Sequence, residues 1–188
     1  LTQRLTLGQS TVSAVLSGGT LTAKIPGASL YSGTGDLTVI LDGSSDVAKT
    51  SLEFALTSLS TPEFLGASAG FDKITGTTDT VLSLSGQGAT QSALIQSLSG
   101  NGNFDLSDGA LLGVDLSAFL GGIEQAWTSR SLPSGIGSDQ KTQFSELLGK
   151  FEITNGVVSV KDFDLSGLGV SASGAGSLDI GKQTIDFS

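Results

Sequence analysis

The chain has 188 residues, a formal net charge of −9, and neither histidine nor cysteine. These absences exclude catalytic triads with histidine, thiol nucleophiles and the usual zinc and iron–sulfur sites, so we expect a protein that is not an enzyme and has no cofactor or metal. The few cations are scattered singly, which argues against nucleic-acid binding and against docking on anionic lipid headgroups.

The length suits one sizeable domain or two small ones. No apolar run approaches the ~20 residues of a membrane-spanning helix. The sequence also contains no methionine. We therefore expect a fragment of a longer protein, or a mature chain whose start has been removed.

Apolar residues alternate with Ser, Thr, Asp and Gly along most of the chain, which is typical of antiparallel strands with one wet face. In chain order the alternating sets are Leu5/Leu7, Leu21/Ala23/Ile25, Leu37/Val39/Leu41, Leu52/Phe54/Leu56, Leu82/Leu84, Phe104/Leu106, Phe151/Ile153, Val158/Val160, Leu178/Ile180 and Ile185/Phe187. Turn signals lie between them at 17–19, 32–35, Asp42-Gly43, Asp108-Gly109 and Asn155-Gly156.

Four segments predict short helices instead. Residues 61–65 place Pro62 at the first helical position after a capping Thr61, with an acid in the first turn. Residues 89–98, 115–127 and 142–148 have apolar residues at helical spacing, and Asp115 is a suitable N-cap for the second of them. Residues 129–139 predict a flexible loop.

Two stretches resemble each other: Gly102-Asn-Phe104-Asp-Leu106 and Gly149-Lys-Phe151-Glu-Ile153, each followed by an Asp-Gly or Asn-Gly pair. Two copies are too few to indicate a repeat protein. We interpret them as two hairpins that are built alike because turn chemistry is limited.

Carboxylates offer two further possibilities. Asp162 and Asp164 would share one side of a strand, as a glycosidase pair requires. A calcium site around Asp105 and Asp108 is the other possibility, because residues 100–106 are similar to a calcium-binding nonapeptide. The calcium pattern is out of register by one residue and does not repeat. We favour exposed strand and turn positions for all four residues.

The remaining unusual features are apolar. Phe64, Phe71, Phe119, Trp127 and Phe144 belong to the predicted helices and loops, where they either plug the sheet as ordinary core or cap an apolar groove that takes long hydrophobic ligands. The candidate groove or plug residues are Leu52, Phe54, Leu56, Phe104, Leu106, Phe119, Trp127, Phe144, Phe151 and Ile153.

Three stretches carry a family resemblance, at residues 98–116 (LSGNGNFDLSDGALLGVDL), 142–156 (TQFSELLGKFEITNG) and 170–180 (VSASGAGSLDI). Their order and spacing resemble the C-terminal domain of the AsmA family over nearly the whole chain. Upstream, Leu30-Tyr31-Ser32-Gly33 matches a family turn imperfectly, because Ser32 replaces a glycine. On this basis residues 1–188 are expected to form a single AsmA-like C-terminal domain.

The resemblance implies a protein of the Gram-negative cell envelope. AsmA-like proteins are anchored in the inner membrane by an N-terminal helix, which would lie upstream of Leu1, and extend into the periplasm. Larger members form β-sheet grooves, similar to eukaryotic bridge-like lipid transfer proteins, and carry phospholipids toward the outer membrane. Smaller members are linked to outer-membrane protein assembly and homeostasis.

From these observations we predict a mainly β fold: one long, curved antiparallel sheet with a groove, and a few short helices packed on its concave face. Its open edges would pair with upstream β-sheet of the same chain. The first functional hypothesis is phospholipid transport between inner and outer membrane, with acyl chains as the ligand. The alternative is a structural module that binds envelope proteins. A surface adhesin would require regular short repeats, which the sequence lacks.

Overall fold

The computed structural model describes residues 6–118, 136–167, 169–181 and 184–187. These residues form ten strands in one antiparallel sheet whose spatial order follows the chain, with β1 and β10 at its two open edges. The elements are β1 Ser13–Ser17, β2 Thr20–Leu30, β3 Gly33–Asp42, β4 Lys49–Ser60, α1 Thr61–Ala69, β5 Ile74–Gln87, α2 Gln91–Ser97, β6 Ser99–Val114, β7 Ile136–Thr154, β8 Val157–Gly167, β9 Val170–Asp179 and β10 Thr184–Phe187. The predicted fold class, an open antiparallel sheet with a few short helices, is confirmed.

Tight turns connect several neighbouring strands at the predicted places. Gly18-Gly19 and Asn155-Gly156 have positive φ at both central residues, as the primed hairpin turns require. Between β2 and β3 the two positive-φ residues are Tyr31 and Ser32, at 45° and 67°. That turn therefore begins one residue earlier than predicted, and the glycines after it belong to β3.

The predicted turn at Asp108-Gly109 is wrong, because both residues lie inside β6. Asp108 has φ 51°, but the backbone does not reverse there. The long strand β7 pairs with β6 on both sides of this point, from Gly100↔Ile153 to Leu112↔Lys141. The left-handed residue distorts a continuous strand, so the two similar stretches are not two hairpins.

Bulges interrupt the alternation in β2, β4 and β8, where the register shifts between Ile25/Ala28, Leu56/Leu59 and Val160/Phe163. In each case two successive exposed residues separate the apolar ones, which return to the same face. Bulges bend a strand and increase its twist, so they supply the curvature that a groove needs.

Helices α1 and α2 confirm two of the four helix predictions. Ser60, not Thr61, is the N-cap of α1, and the Thr61 hydroxyl instead hydrogen-bonds that of Thr78 at 2.6 Å. In α2 the Thr90 hydroxyl accepts from the Ala93 N–H at 3.2 Å. Residues 116–118 are helical and Asp115 accepts from the Ala118 N–H at 2.9 Å, so the third helix starts as predicted. Its predicted continuation through Trp127 lies outside the described residues.

The fourth helix prediction, residues 142–148, is wrong, because this segment is part of β7. Thr142 and Phe144 are buried, Ser145 and Glu146 are both exposed, and Leu147 is half-buried. Because of this irregularity, the apolar residues Phe144 and Leu147 are three residues apart instead of two. This spacing is typical of a helix, which explains the wrong prediction. The loop prediction is also wrong for residues 136–139, which start β7, while 129–135 lie outside the described residues.

The strand predictions fail at the start of the chain and at Ile180, whereas Leu178 lies in β9 and Ile185 and Phe187 lie in β10, as predicted. Leu7 precedes the first strand and Leu5 lies outside the described residues, whereas β1 itself, at Ser13–Ser17, had no predicted counterpart. Ile180 lies in the turn after β9. The sequence of β1 lacks the apolar alternation on which the strand predictions depend, and all five of its residues are exposed.

The main core lies where α1 covers the sheet. It consists of Ile74, Leu106, Phe144 and Leu165, against which Leu65 of α1 packs. Leu59, at the end of β4, is fully buried.

Candidate functional site

The strand register aligns apolar side chains from six neighbouring strands into two rows on one face of the sheet. We call these rows the apolar band and the face that carries them the inner face. One row contains Leu37, Phe54, Leu82, Gly102, Phe151 and Val160, and the other contains Val39, Leu52, Leu84, Gly100, Ile153 and Val158. The rows run across the strands from β3 to β8.

The two helices flank the band on the inner face. Helix α1 links β4 to β5 and packs against the core cluster, and α2 links the other end of β5 to β6. A Cβ atom added to Gly86, which lies on the inner face, would be only 3.0 Å from the Leu98 Cδ2 atom and 3.1 Å from the Leu94 Cδ1 atom. Ser97 fixes the end of α2 by hydrogen bonds to the backbone N–H and carbonyl of Gln87.

Between the helices the band stays partly open. Ile153 is buried, but the other side chains of the band are only half-buried, in contrast to Leu106, Phe144 and Leu165 beneath α1. The inner face therefore has two parts, a filled core under α1 and an open apolar band beside it.

Charged side chains along the band point to the opposite, outer face, because they alternate with band residues. Examples are Asp36 beside Leu37, Glu53 beside Phe54 and Lys150 beside Phe151. On the outer face Lys161 donates to Glu152 at 2.8 Å, and this carboxylate raises the pKa of the Lys161 ammonium above its ordinary 10.5. The described part of the band is thus uncharged.

Phenylalanine rings lie over glycines on neighbouring strands. Phe151 is the register partner of Gly102, and Phe104 is the partner of Gly149. A Cβ atom at either glycine would overlap the opposing ring. Phe144 and Phe163 lie over Gly109 and Gly174 in the same way. The rings therefore lie across the neighbouring backbone, where glycine leaves room for them.

The described candidate groove residues lie on the inner face in three sets: the band, the row next to it, and the core cluster. Leu52, Phe54, Phe151 and Ile153 belong to the band. Leu56 and Phe104 form the next row toward α1, and Leu106 and Phe144 belong to the core cluster. Phe119 and Trp127 lie outside the described residues.

Besides Gly100 and Gly102, six apolar band positions were missing from the candidate set, although the alternation places each of the six in a strand. They are Leu37, Val39, Leu82, Leu84, Val158 and Val160. Register alone shows that each of them lies beside one of the four band residues in the candidate set, Leu52, Phe54, Phe151 and Ile153.

The carboxylates lie on the outer face. Asp162 faces Lys150 and Asp164 faces Leu148, and both aspartates are exposed. Together with Asn101, Asn103 and Lys161 they line a groove of about 810 Å³ whose lining also includes the apolar Val81 and Leu148. The described residues contain no group of three or more Asp or Glu side chains arranged to hold a metal ion. Among the described helices, none has the length and apolar character needed to span a bilayer.

The model of the AsmA family matches residues 3–163. The chain belongs to the AsmA family. The matched range extends from before β1 into β8 and includes every residue of the band. The resemblance stated for residues 98–116 and 142–156 is thereby confirmed, whereas 170–180 lies beyond the match. Comparison with curated proteins and comparison with solved structures gave no match. Membership of the AsmA family is consistent with envelope biogenesis and lipid transport in general, and the family is not known for enzymes.

Proposed function

We propose that this AsmA-family chain is a non-catalytic periplasmic domain that holds phospholipid acyl chains on its apolar band during transport between inner and outer membrane. In the full-length protein it would be tethered to the inner membrane. The observation that carries the proposal is the band itself, which is apolar, uncharged in the described residues and, apart from the buried Ile153, only half-buried.

The length of the band suits an acyl chain. It crosses from β3 to β8, so at a spacing of about 4.8 Å per strand it is roughly 24 Å long. Half of a hydrocarbon core about 30 Å thick is about 15 Å, which is the reach of one acyl chain. A chain that lies along the band gains up to about 0.8 kcal/mol for each methylene removed from water.

Photo-crosslinking from opposite faces of one strand tests the proposal. A photoreactive residue at Phe54 lies in the band, and one at Ala55 is its neighbour on the outer face. After expression in a Gram-negative host, we expect a phospholipid adduct from position 54 and none from position 55, as measured by mass spectrometry.

Absence of an adduct at Phe54, together with purified protein that contains no phospholipid, would contradict lipid transport. If envelope proteins are then captured by the intact chain, the result supports the alternative of an assembly module that binds partners outside the sheet.

A further inference from the structure

The positions of the described cations bear on which lipid headgroup the band accepts. Lys24, Lys150 and Lys161 alternate with inner-face residues and therefore lie on the outer face. Lys141 is exposed beside the buried inner-face Thr142. Lys73 lies in the loop after α1, where its ammonium is 3.1 Å from the Asp72 carboxylate. No described cation therefore projects onto the band.

We call the two long sides of the band, next to α1 and next to α2, its rims. The rim next to α2 has no surplus of positive charge either. On one side of α2 is a pocket of about 650 Å³ lined by Gln91, Gln96, Asn155 and Asp179, among others. Lys49 lies on the outer face, because it alternates with the inner-face Thr50, and its register partner Asp42 lines the same outer-face pocket of about 590 Å³. Amides and hydroxyls make up most of the remaining polar lining.

The rim next to α1 is similar. Glu63 lies in the first turn of α1, and the Asp72–Lys73 pair follows the helix. A phospholipid headgroup cannot enter the apolar band itself, because an ionised group loses its hydration there without a partner. It must lie at a rim, where an anionic headgroup would meet carboxylates and neutral groups and the negative field of a chain with net charge −9.

We propose that the band selects phospholipids whose headgroup has no net charge, the zwitterionic class, over anionic phospholipids with the same acyl chains. This inference rests on the proposed function, because it concerns the headgroup of a lipid whose chains lie on the band. At low ionic strength, the net negative charge of an anionic headgroup at a partly exposed rim should weaken binding about five-fold relative to a zwitterionic headgroup. Salt reduces this difference.

The test compares phosphatidylcholine with phosphatidylglycerol of identical acyl chains. Short-chain forms that stay monomeric are titrated into the purified chain, so that repulsion between the acidic protein and an anionic vesicle does not enter the result. We expect about five-fold tighter binding of phosphatidylcholine at low ionic strength, and a smaller ratio at high ionic strength. Equal binding, or tighter binding of phosphatidylglycerol, overturns the inference while leaving the lipid-binding function intact. Binding of neither lipid overturns the proposed function as well.

A pair of lysine variants locates the effect. Thr50→Lys adds a cation on the inner face beside Gly86, next to α2, where the long side chain can keep its ammonium in water. Ser83→Lys adds the same charge at an exposed outer-face position of β5. We expect Thr50→Lys to shift the preference about five-fold toward phosphatidylglycerol and Ser83→Lys to leave it unchanged. An equal shift in both variants would show that overall charge, not the rim of the band, sets the preference. Circular dichroism verifies that each variant is folded.

Discussion

At the scale of single residues, the most specific feature of this chain is the reciprocal pairing of two Gly-x-Phe stretches. Gly102-Asn-Phe104 in β6 runs antiparallel to Gly149-Lys-Phe151 in β7, so each ring lies over the glycine of the other strand. A register slip of two residues would place ring against ring in one direction, or glycine against glycine in the other. The similarity between the two stretches therefore reflects their contact across the sheet, not a repeated hairpin.

Replacing one of these glycines tests the pairing. Gly149→Ala forces the Phe104 ring away from the backbone, so we expect a loss of about 1–3 kcal/mol in the free energy of unfolding, measured by urea denaturation. Gly43→Ala is the control, because its nearest neighbour outside the adjoining residues is the Gly19 carbonyl oxygen at 3.7 Å. Adding Phe104→Leu to Gly149→Ala should recover part of the loss. Strictly additive effects would show that the two residues do not interact.

A second residue-scale prediction concerns acid stability. Asp42 accepts hydrogen bonds from the Ser44 hydroxyl at 2.6 Å, the Ser44 N–H at 2.9 Å and the Thr20 hydroxyl at 3.3 Å. The Ser44 hydroxyl is the main reason why the pKa of Asp42 lies below its ordinary 3.8. A carboxyl whose pKa is depressed by folding stabilises the native state above its unfolded pKa, and this contribution disappears as the pH falls through the folded pKa.

Asp42→Asn removes this titration. We expect the melting temperature of the wild type to fall more steeply than that of Asp42→Asn when the pH is lowered below 3.8. Asp46→Asn removes one carboxylate from the same β3–β4 connection and serves as the control. Parallel curves for the wild type and Asp42→Asn would contradict the prediction.

At the scale of elements, aspartates of neighbouring strands hold two of the bulges in place. The Gly27 N–H in the β2 bulge donates to Asp36 of β3 at 3.0 Å, and the Ser58 N–H in the β4 bulge donates to Asp79 of β5 at 2.7 Å. Ser58 has φ 58°, a conformation that a non-glycine residue adopts only at a cost. The carboxylate offsets that cost, and the bulge returns Leu59 to the core.

The β4 bulge provides the third prediction. Asp79→Ala leaves the Ser58 N–H without this acceptor, and we expect a loss of about 1 kcal/mol in the free energy of unfolding, since the group is exposed and water replaces part of the bond. Asp79→Asn keeps an acceptor oxygen and should lose less than half of that amount. Urea denaturation measures both variants, and equal losses would indicate that the charge, not the hydrogen bond, is responsible.

At the scale of the whole molecule, the sheet is open in the described residues, with β1 at its first edge. β1 contains no charged residue and no proline, while Val15 and Leu16 are 61% and 73% exposed. Leu16 lies beside Leu21, which lies beside Leu41, so the apolar inner face continues to this edge. Natural sheets usually protect such an edge with charge, so pairing with upstream β-sheet of the same chain stays our proposal for it.

Self-association of the isolated chain tests whether the uncharged edge strand β1 is available to pair with another strand. A lysine at Val15 places a charge on the edge strand, so we expect Val15→Lys to reduce concentration-dependent association in sedimentation velocity. Val81→Lys is the matched control, because Val81 is 50% exposed but lies in the central strand β5. A similar reduction in both variants would attribute the association to general surface hydrophobicity.

The sequence by itself determined the family, the antiparallel fold class, most strands and both described helices. These features depend on local chemistry: alternation defines the two faces of a strand, paired positive-φ residues reverse the chain, Pro62 marks the start of α1, and the apolar spacing of residues 89–98 predicts α2. Four of the candidate groove residues lie in the band for the same reason, since Leu52 and Phe54 or Phe151 and Ile153 share one face of a strand.

Only the tertiary structure decided where alternation breaks and which strands share a row. Alternation breaks in β7 at the exposed pair Ser145-Glu146 and in the facing strand β6 at the left-handed Asp108. Neither break can be interpreted from the sequence of its own strand alone. Likewise, Leu37 and Leu82 join Phe54 in the band through register, which depends on hydrogen bonds between distant segments. Local sequence defines the face of a strand, but long-range pairing sets its neighbours, and the open band is a property of those neighbours.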